Sequence, residues 1–112
     1  MSRREKTPEQ ALQFIHAVAR HQGWAVNADD RFVADLAEGL ARNYSRYGYF
    51  LCPCRDGEGD RNEDADIICP CRYAVPDQQE YGHCFCGLFL TKAFAASGRE
   101  PQQIPERRSP DA

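Results

Sequence analysis

Six cysteines fall in three tight pairs within a 35-residue stretch, and the chain contains no other cysteine. The pairs are Cys52-Pro53-Cys54, Cys69-Pro70-Cys71 and Cys84-Phe85-Cys86. A 4Fe–4S cluster takes four thiolates. Six thiols therefore leave two, the number that one redox-active disulfide needs. The count predicts a cluster beside a dithiol, but it does not say which cysteine does which job.

The single-residue gap inside each pair narrows the choice of metal. Structural zinc sites usually place two or more residues between paired cysteines, so three one-residue gaps fit zinc poorly. A disulfide closed within one such pair would be strained, and any disulfide should join different pairs. Two alternatives to a cluster with a dithiol stay open. One is a structural or redox-sensing zinc-binding module, and the other is an electron-transfer protein without a disulfide.

Length and composition bound the function further. The chain has 112 residues, enough for one small domain. Its net charge of −3 gives no electrostatic support for binding nucleic acid. No stretch reaches the roughly 20 apolar residues of a membrane span, and no apolar signal core follows the charged first residues. We therefore expect a cytoplasmic protein without a membrane or nucleic-acid partner, in which paired cysteines bind metal or do redox chemistry.

Two amphipathic helices are expected to form the scaffold. Thr7 is a predicted N-cap, with Pro8 at the first helical position and Gln10 completing a capping box. Gly23 is the predicted end of this helix. Its apolar positions recur at helical spacing, at Ala11, Leu12, Ile15, Val18 and Ala19.

The second predicted helix starts at Asn27 as its N-cap and ends at Gly48. Its buried stripe comprises Phe32, Val33, Leu36, Ala37, Leu40 and Tyr44. A third helix is predicted after the last cysteine pair, closed by Gly98, with apolar positions at Leu88, Phe89, Leu90, Ala93 and Phe94.

The remaining segments read as loops. Residues 55–66 carry six acidic residues against two arginines, which predicts a solvated loop. Asp77 is expected to cap a short helical turn that runs to Glu80. We place a cluster-binding catalytic domain at 1–98, and an extended or partly disordered C-terminal tail at 99–112.

Several motifs together resemble one family, the catalytic (beta) subunit of ferredoxin–thioredoxin reductase. They are Tyr47-Gly48-Tyr49, Cys52-Pro53-Cys54-Arg55, Asp66-Ile67-Ile68-Cys69-Pro70-Cys71, Glu80-Tyr81-Gly82-His83-Cys84-Phe85-Cys86 and the tail motif Pro105-Glu106-Arg107-Arg108. Two Cys-Pro-Cys motifs followed by a third Cys-x-Cys are highly specific, and the resemblance covers most of the chain.

The resemblance implies a small, mainly α single domain whose helices and loops wrap around one 4Fe–4S cluster. The cluster ligands would be Cys52, Cys69, Cys71 and Cys84. The active-site disulfide would join Cys54, the solvent-side thiol that attacks the substrate, to Cys86, which would sit against the cluster.

The implied function is that of an iron–sulfur disulfide reductase. Single electrons from ferredoxin, or from another one-electron donor such as rubredoxin, would pass through the cluster to the disulfide. The resulting dithiol would reduce thioredoxin or a thioredoxin-like protein by thiol–disulfide exchange. The sequence leaves open whether a non-catalytic subunit is also required.

The chain departs from the best-known family pattern inside the third pair. Phe85 makes this pair Cys-Phe-Cys in place of Cys-His-Cys, and the missing histidine is thought to assist proton transfer. His83 is the candidate substitute, with a structural hydrogen-bonding role as the alternative. Arg55 and Arg72, which directly follow the two Cys-Pro-Cys pairs, could offset cluster charge or form ordinary surface salt bridges.

Overall fold

The computed structural model describes residues 5–55 and 57–108. Its helices are α1 (Pro8–Gln22), α2 (Asp30–Tyr47), α3 (Ala74–Tyr81) and α4 (Lys92–Ser97), with a 3₁₀ turn at Ala65–Ile67. Two short strands, β1 (Ala25–Val26) and β2 (Phe89–Leu90), pair antiparallel. The protein is a small, mainly helical domain, as predicted. None of the described helices combines the length and apolar character needed to cross a bilayer.

Helix α1 begins and ends where the sequence predicts. The Thr7 hydroxyl accepts a hydrogen bond from the Gln10 amide (3.1 Å), and the Gln10 side chain accepts one from the Thr7 amide (2.9 Å). Gly23 ends the helix with φ of 75°, in the left-handed region. The helix packs against α2 through small and aliphatic side chains that are buried between them: Ala11, Ile15, Ala19, Val33, Ala37, Leu40 and Ala41.

The predicted start of α2 is wrong by two residues. Asp29, not Asn27, is the N-cap, and its carboxylate accepts a hydrogen bond from the Phe32 amide (3.1 Å). The Asn27 side chain accepts from the Asp29 amide and donates to the carbonyl oxygen of Gly87, both at 2.8 Å. Asn27 therefore ties the start of α2 to the residue that follows the third cysteine pair.

The third predicted helix is shorter than expected because its first residues form β2. Phe89 pairs with Val26 and Leu90 with Ala25. Helix α4 begins only at Lys92, after Thr91 accepts a hydrogen bond from the amide of Phe94 (3.0 Å). Both strand residues are buried, so an unbroken apolar run did not distinguish a strand from a helix.

Helix α3 also differs from its prediction. Asp77 lies within this helix, which begins at Ala74 and so places Pro76 in the first turn, where no proline N–H is needed. The buried Asp77 carboxylate instead accepts a hydrogen bond from Nε of Arg107 (2.5 Å). Its partner is thus a side chain from the C-terminal segment rather than a helix amide.

The acidic loop is exposed at residues 58–63, as predicted, but its carboxylates at Asp64 and Asp66 are buried. Asp64 is fully buried, and its carboxylate accepts hydrogen bonds from the Tyr49 hydroxyl (2.6 Å) and from the amides of Glu58 (2.9 Å) and Gly59 (3.1 Å). Loop amides turned toward one carboxylate satisfy its charge away from water. Asp64 therefore organises the loop from within.

Candidate thiol redox site

Backbone pairing brings the first two cysteine pairs together. Leu51 and Ile68 form an isolated antiparallel bridge immediately before the two pairs. The Cys52 amide donates to the carbonyl oxygen of Ile67 (2.9 Å), and the Cys69 amide donates to that of Phe50 (2.7 Å). The acidic loop closes this hairpin-like arrangement, so the interior of the loop supports the register of the cysteines.

The third pair is fixed by β2 and by a tight turn. The Cys84 amide donates to the carbonyl oxygen of Phe89 (3.0 Å), and the Phe89 amide donates to Sγ of Cys84 (3.3 Å). The Gly87 amide closes the turn onto the carbonyl oxygen of Cys84 (2.9 Å). An N–H that points at a sulfur stabilises negative charge on it, which suits a thiolate.

The six thiols gather in one region, with Cys86 at the centre of their contacts. Its Sγ lies 3.2 Å from Sγ of Cys52, and interactions with Cys52, Cys54 and Cys84 raise the pKa of its thiol. Cys52, Cys69 and Cys84 are buried, whereas Cys54 is exposed. Cys86 therefore contacts the buried Cys52 and interacts with both the exposed Cys54 and the buried Cys84.

The ionisation of four thiols follows this geometry. Hydrogen bonds from Cys54 and Cys86 hold the pKa of Cys52 well below its usual range. A hydrogen bond from Cys86 lowers the pKa of Cys84, against the opposing effect of burial. The same contacts with Cys52 raise the pKa of Cys54 to about 12 and that of Cys86 above its usual value. These contacts therefore favour negative charge on Cys52 and Cys84 over Cys54 and Cys86.

The second pair is different because burial dominates there. Burial raises the pKa of Cys71 to about 11, against the opposing charge of Arg55. Burial also raises the pKa of Cys69, with further increases from the neighbouring thiols, including Cys52 and Cys84. Thiols in such surroundings become thiolates when a metal ion takes the charge.

Arg55 lies against the thiols instead of at the surface. Its Nη1 is 3.4 Å from Sγ of Cys71 and 3.7 Å from Sγ of Cys52. The guanidinium lies over the ring of Phe85, 4.4 Å from its centroid, in a cation–π contact. Phe85 therefore serves as a platform for a permanent positive charge.

His83 has both ring nitrogens occupied. The amide of Gln102 donates to Nε2 (3.2 Å), so Nε2 is an acceptor and Nδ1 carries the proton that it donates to the carbonyl oxygen of Cys84 (2.8 Å). The side chain is buried and packs edge-on against Phe94. This geometry links the third pair to the C-terminal segment. The role of His83 in proton transfer stays a prediction.

Two features of the site have no counterpart in the sequence analysis. Gly39 of α2 faces the first pair, where a Cβ atom would lie 3.0 Å from Cβ of Pro53. The C-terminal segment at residues 101–108 carries the second feature, because Ile104 is buried and Arg108 contacts Asp66 (2.9 Å). The predicted tail is thus held by specific contacts up to residue 108. Residues 109–112, and residues 1–4 of the predicted domain, lie outside the described residues.

The donor set fits an iron–sulfur cluster. Among residues 5–55 and 57–108, no three His, Cys, Asp or Glu side chains form a ready arrangement around a single metal ion. A 4Fe–4S cluster makes a different demand, because each thiolate binds a different iron atom and the donors surround a volume. The donor chemistry is compatible with that demand, because the four proposed ligands are thiols of one region that lies beside a cation and a sulfur-directed amide: Cys52, Cys69, Cys71 and Cys84.

Comparison with known proteins identifies the family. A family model described as the ferredoxin thioredoxin reductase catalytic beta chain matches residues 1–108. The ferredoxin-thioredoxin reductase catalytic chain of Porphyra purpurea is 39% identical over 83 residues, which cover 74% of this chain and 69% of that protein. The catalytic chain of Cyanidium caldarium is 36% identical over 98 residues, or 88% of this chain and 86% of that protein. The chain therefore belongs to the family of ferredoxin–thioredoxin reductase catalytic beta chains, a family of oxidoreductases, as its cysteine motifs predict.

Proposed function

We propose that the protein is an iron–sulfur disulfide reductase that acts on thioredoxin or a thioredoxin-like protein. One observation carries the proposal: Sγ of Cys86 lies 3.2 Å from Sγ of the buried Cys52, in a thiol group that also includes the exposed Cys54 and the buried Cys84. A disulfide between Cys54 and Cys86 would place one sulfur at the surface and the other against the proposed cluster ligands. Such a disulfide can be reduced from inside and can react from outside.

The two redox cysteines would work in sequence. Two electrons and two protons convert the Cys54–Cys86 disulfide into a dithiol. Cys54 loses its proton as its sulfur attacks one sulfur of the partner's disulfide to form a mixed disulfide, and the other partner sulfur leaves as a thiolate that takes up a proton. Cys86 attacks Sγ of Cys54, which restores the enzyme disulfide and releases the partner as a dithiol. The exposure of Cys54 and its contact with Cys86 support both exchanges.

Cys52, Cys69, Cys71 and Cys84 would hold one 4Fe–4S cluster. When bound, the cluster supplies electrons one at a time to a disulfide that needs two. The family name points to ferredoxin as the donor, with another one-electron carrier such as rubredoxin as the alternative. The amide of Phe89 that donates to Sγ of Cys84 and the guanidinium of Arg55 beside the sulfurs of Cys52 and Cys71 support their assignment as ligands, since both groups stabilise thiolates.

Replacement of Cys54 by serine tests this division of labour. We expect anaerobically purified Cys54→Ser to keep the iron and sulfide of the wild type and to lose reduction of an oxidised thioredoxin by reduced ferredoxin. Cys84→Ser is the matched control, because it removes one thiol from the last pair and one proposed ligand. It should lose iron and sulfide.

Either of two results would overturn the assignment. Loss of iron and sulfide from Cys54→Ser would make Cys54 a ligand. Full reduction of thioredoxin by that variant would show that another thiol makes the attack.

A further inference from the structure

Two arginines occupy equivalent places in the sequence but not in the structure. Arg55 and Arg72 each directly follow a Cys-Pro-Cys pair. The side chain of Arg55 is only 4% exposed, whereas Arg72 is exposed to solvent. A buried guanidinium is costly unless its donors are satisfied, so the partners of Arg55 show what this charge does.

One edge of the Arg55 guanidinium faces the thiols and the other faces the C-terminal segment. Nη1 points to Sγ of Cys71 (3.4 Å) and of Cys52 (3.7 Å). Nε and Nη2 donate to the two carboxylate oxygens of Glu106, each at 2.7 Å. Two parallel bonds of this kind fix both the position and the plane of a guanidinium.

Glu106 is itself held in place by its neighbours in the chain. Ile104, two residues earlier, is buried. Arg107 binds the carboxylates of Asp77 and Glu80 on α3, and Arg108 binds that of Asp66 (2.9 Å), just before the second cysteine pair. Three consecutive charged residues thus attach the C-terminal segment to three sides of the thiol site.

The contacts of Arg55 go beyond charge balance. The ring of Phe85, in the third pair, lies 4.4 Å below the guanidinium, and the ring of Tyr73 lies 5.4 Å away. Arg55 therefore contacts elements from all three cysteine pairs: Cys52 from the first, Cys71 from the second and Phe85 from the third. A side chain with these contacts can align the pairs and stabilise their negative charge together.

We propose that Arg55 is a positioning residue of the thiol site and that Glu106 holds it in place as a clamp. Through this clamp, the C-terminal segment would keep a positive charge beside the metal-binding thiolates and slow the loss of bound metal. The proposal builds on the cluster assigned under the proposed function. It has two separable consequences. The fixed positive charge favours the more negatively charged, reduced state of the site. The clamp slows the escape of bound metal.

The charge consequence is tested by redox titration of the loaded protein. Arg55→Gln should lower the midpoint potential of the bound group, because reduction adds one negative charge beside a cation that the variant lacks. We expect about a tenfold change in the one-electron equilibrium constant, which corresponds to about 59 mV. Arg72→Gln is the matched control, since it removes the same charge at the equivalent position, and should change the constant less than twofold. Equal shifts in the two variants would overturn the proposal.

The clamp consequence is tested by the rate at which a chelator removes metal from the loaded protein. Arg55→Gln and Glu106→Gln should each release metal several-fold faster than Arg72→Gln, and the double variant should be no faster than the faster single variant. Glu106→Gln with the release rate of the wild type, or additive effects in the double variant, would overturn the clamp.

Arg55→Lys keeps the test decisive if Arg55→Gln does not fold. Lysine retains the charge but cannot make two parallel bonds to Glu106. The one-electron equilibrium constant should then stay within about twofold of the wild-type value, while metal release becomes faster than in the wild type. Slow release from Arg55→Lys would contradict the clamp, and a potential as low as expected for Arg55→Gln would contradict the charge consequence.

Failure of this inference is distinguishable from failure of the proposed function. Wild-type protein that carries zinc in place of iron and sulfide would refute the reductase. The clamp would still be testable in that protein, because Arg55→Gln and Glu106→Gln should release zinc faster than Arg72→Gln.

Discussion

The buried hydrogen bond between Tyr49 and Asp64 provides the most quantitative test of how the loop supports the thiol site. Tyr49→Phe removes the hydroxyl that donates to Asp64 at 2.6 Å. A hydrogen bond to a charged group contributes about 1.5–3 kcal/mol to stability. The affected carboxylate oxygen keeps its bond from the Gly59 amide (3.1 Å), so we expect a loss in the lower part of this range, about 2 kcal/mol.

For a domain of this size, 2 kcal/mol corresponds to a fall of roughly 8 °C in the thermal midpoint. The measurement is thermal unfolding of the metal-loaded protein under anaerobic conditions at one fixed scan rate. Tyr47→Phe is the matched control, because Tyr47 stacks on Tyr49 with ring centroids 5.9 Å apart and is only half-buried. It should change the midpoint by about 2 °C or less. Equal midpoints for the two variants would refute the view that Asp64 organises the loop.

The hydrogen bond between Tyr49 and Asp64 also predicts how the stability difference between the wild type and Tyr49→Phe varies with pH. Burial alone would raise the pKa of Asp64, but hydrogen bonds from Tyr49 and the amides of Glu58 and Gly59 lower it below 3.8. A depressed folded-state pKa gives stability that is present above 3.8 and is lost as the pH falls through the folded value. The gap between wild type and Tyr49→Phe should therefore narrow in acid.

An alkaline limit follows from Tyr49 itself. Burial and the hydrogen bond to Asp64 raise its pKa to about 12, from 10.0. The unfolded tyrosine therefore ionises first as the pH rises from 10 to 12, and the wild type loses stability relative to Tyr49→Phe across that window. The measurement is better made in the alkaline range than in acid, because acid also protonates the thiolates that hold metal. A gap that stays constant between pH 10 and 12 would contradict the assigned bond.

Two further variants test the site directly. Cys69→Ser should lose both bound metal and the cooperative thermal transition, because metal-binding energy is folding energy in so small a domain. Cys54→Ser is the control, which should stay folded. A Cys69→Ser variant that is stable and fully folded without metal would contradict this prediction. Gly39→Ala should lower the thermal midpoint by about 4 °C. Overpacking of the new Cβ against Pro53 costs about 2 kcal/mol, whereas alanine stabilises the helix by only about 1 kcal/mol relative to glycine. A midpoint above that of the wild type would show that the first cysteine pair moves aside freely.

Local signals predicted the scaffold well. The capping box at Thr7 and the glycines at Gly23, Gly48 and Gly98 mark helix ends because capping depends on a few adjacent residues. The predicted cap at Asn27 is wrong because Asp29, two residues later, is an equally good N-cap residue. The sequence does not show which of the two side chains reaches the Phe32 amide. The structure uses Asn27 for a contact with Gly87, 60 residues away.

Non-local contacts explain most of the remaining errors. Phe89 and Leu90 form a strand because β1 supplies a pairing partner, which a window around these residues does not contain. Asp64 is buried inside a loop predicted to be solvated, because its carboxylate finds hydrogen-bond donors in Tyr49 and in two amides that turn inward. Tertiary context overrides local preference in both places.

The site was predictable as a set of residues, but not as an arrangement. Cysteine spacing pointed to all six thiols as the candidate site, since thiolates are the usual ligands of iron–sulfur clusters. The sequence could not separate Arg55 from Arg72, because only the fold brings Glu106 to one of them. An ion pair between residues 51 positions apart leaves no local signal in the sequence.

Metal and sulfide analysis of anaerobically purified protein tests the central claim most directly, combined with a count of alkylatable thiols under native conditions. The reductase account predicts about four iron and four sulfide per chain, with Cys54 and Cys86 tied in a disulfide that becomes alkylatable after reduction. One zinc per chain, no sulfide and two freely alkylated thiols would contradict the account and establish a zinc-binding module instead.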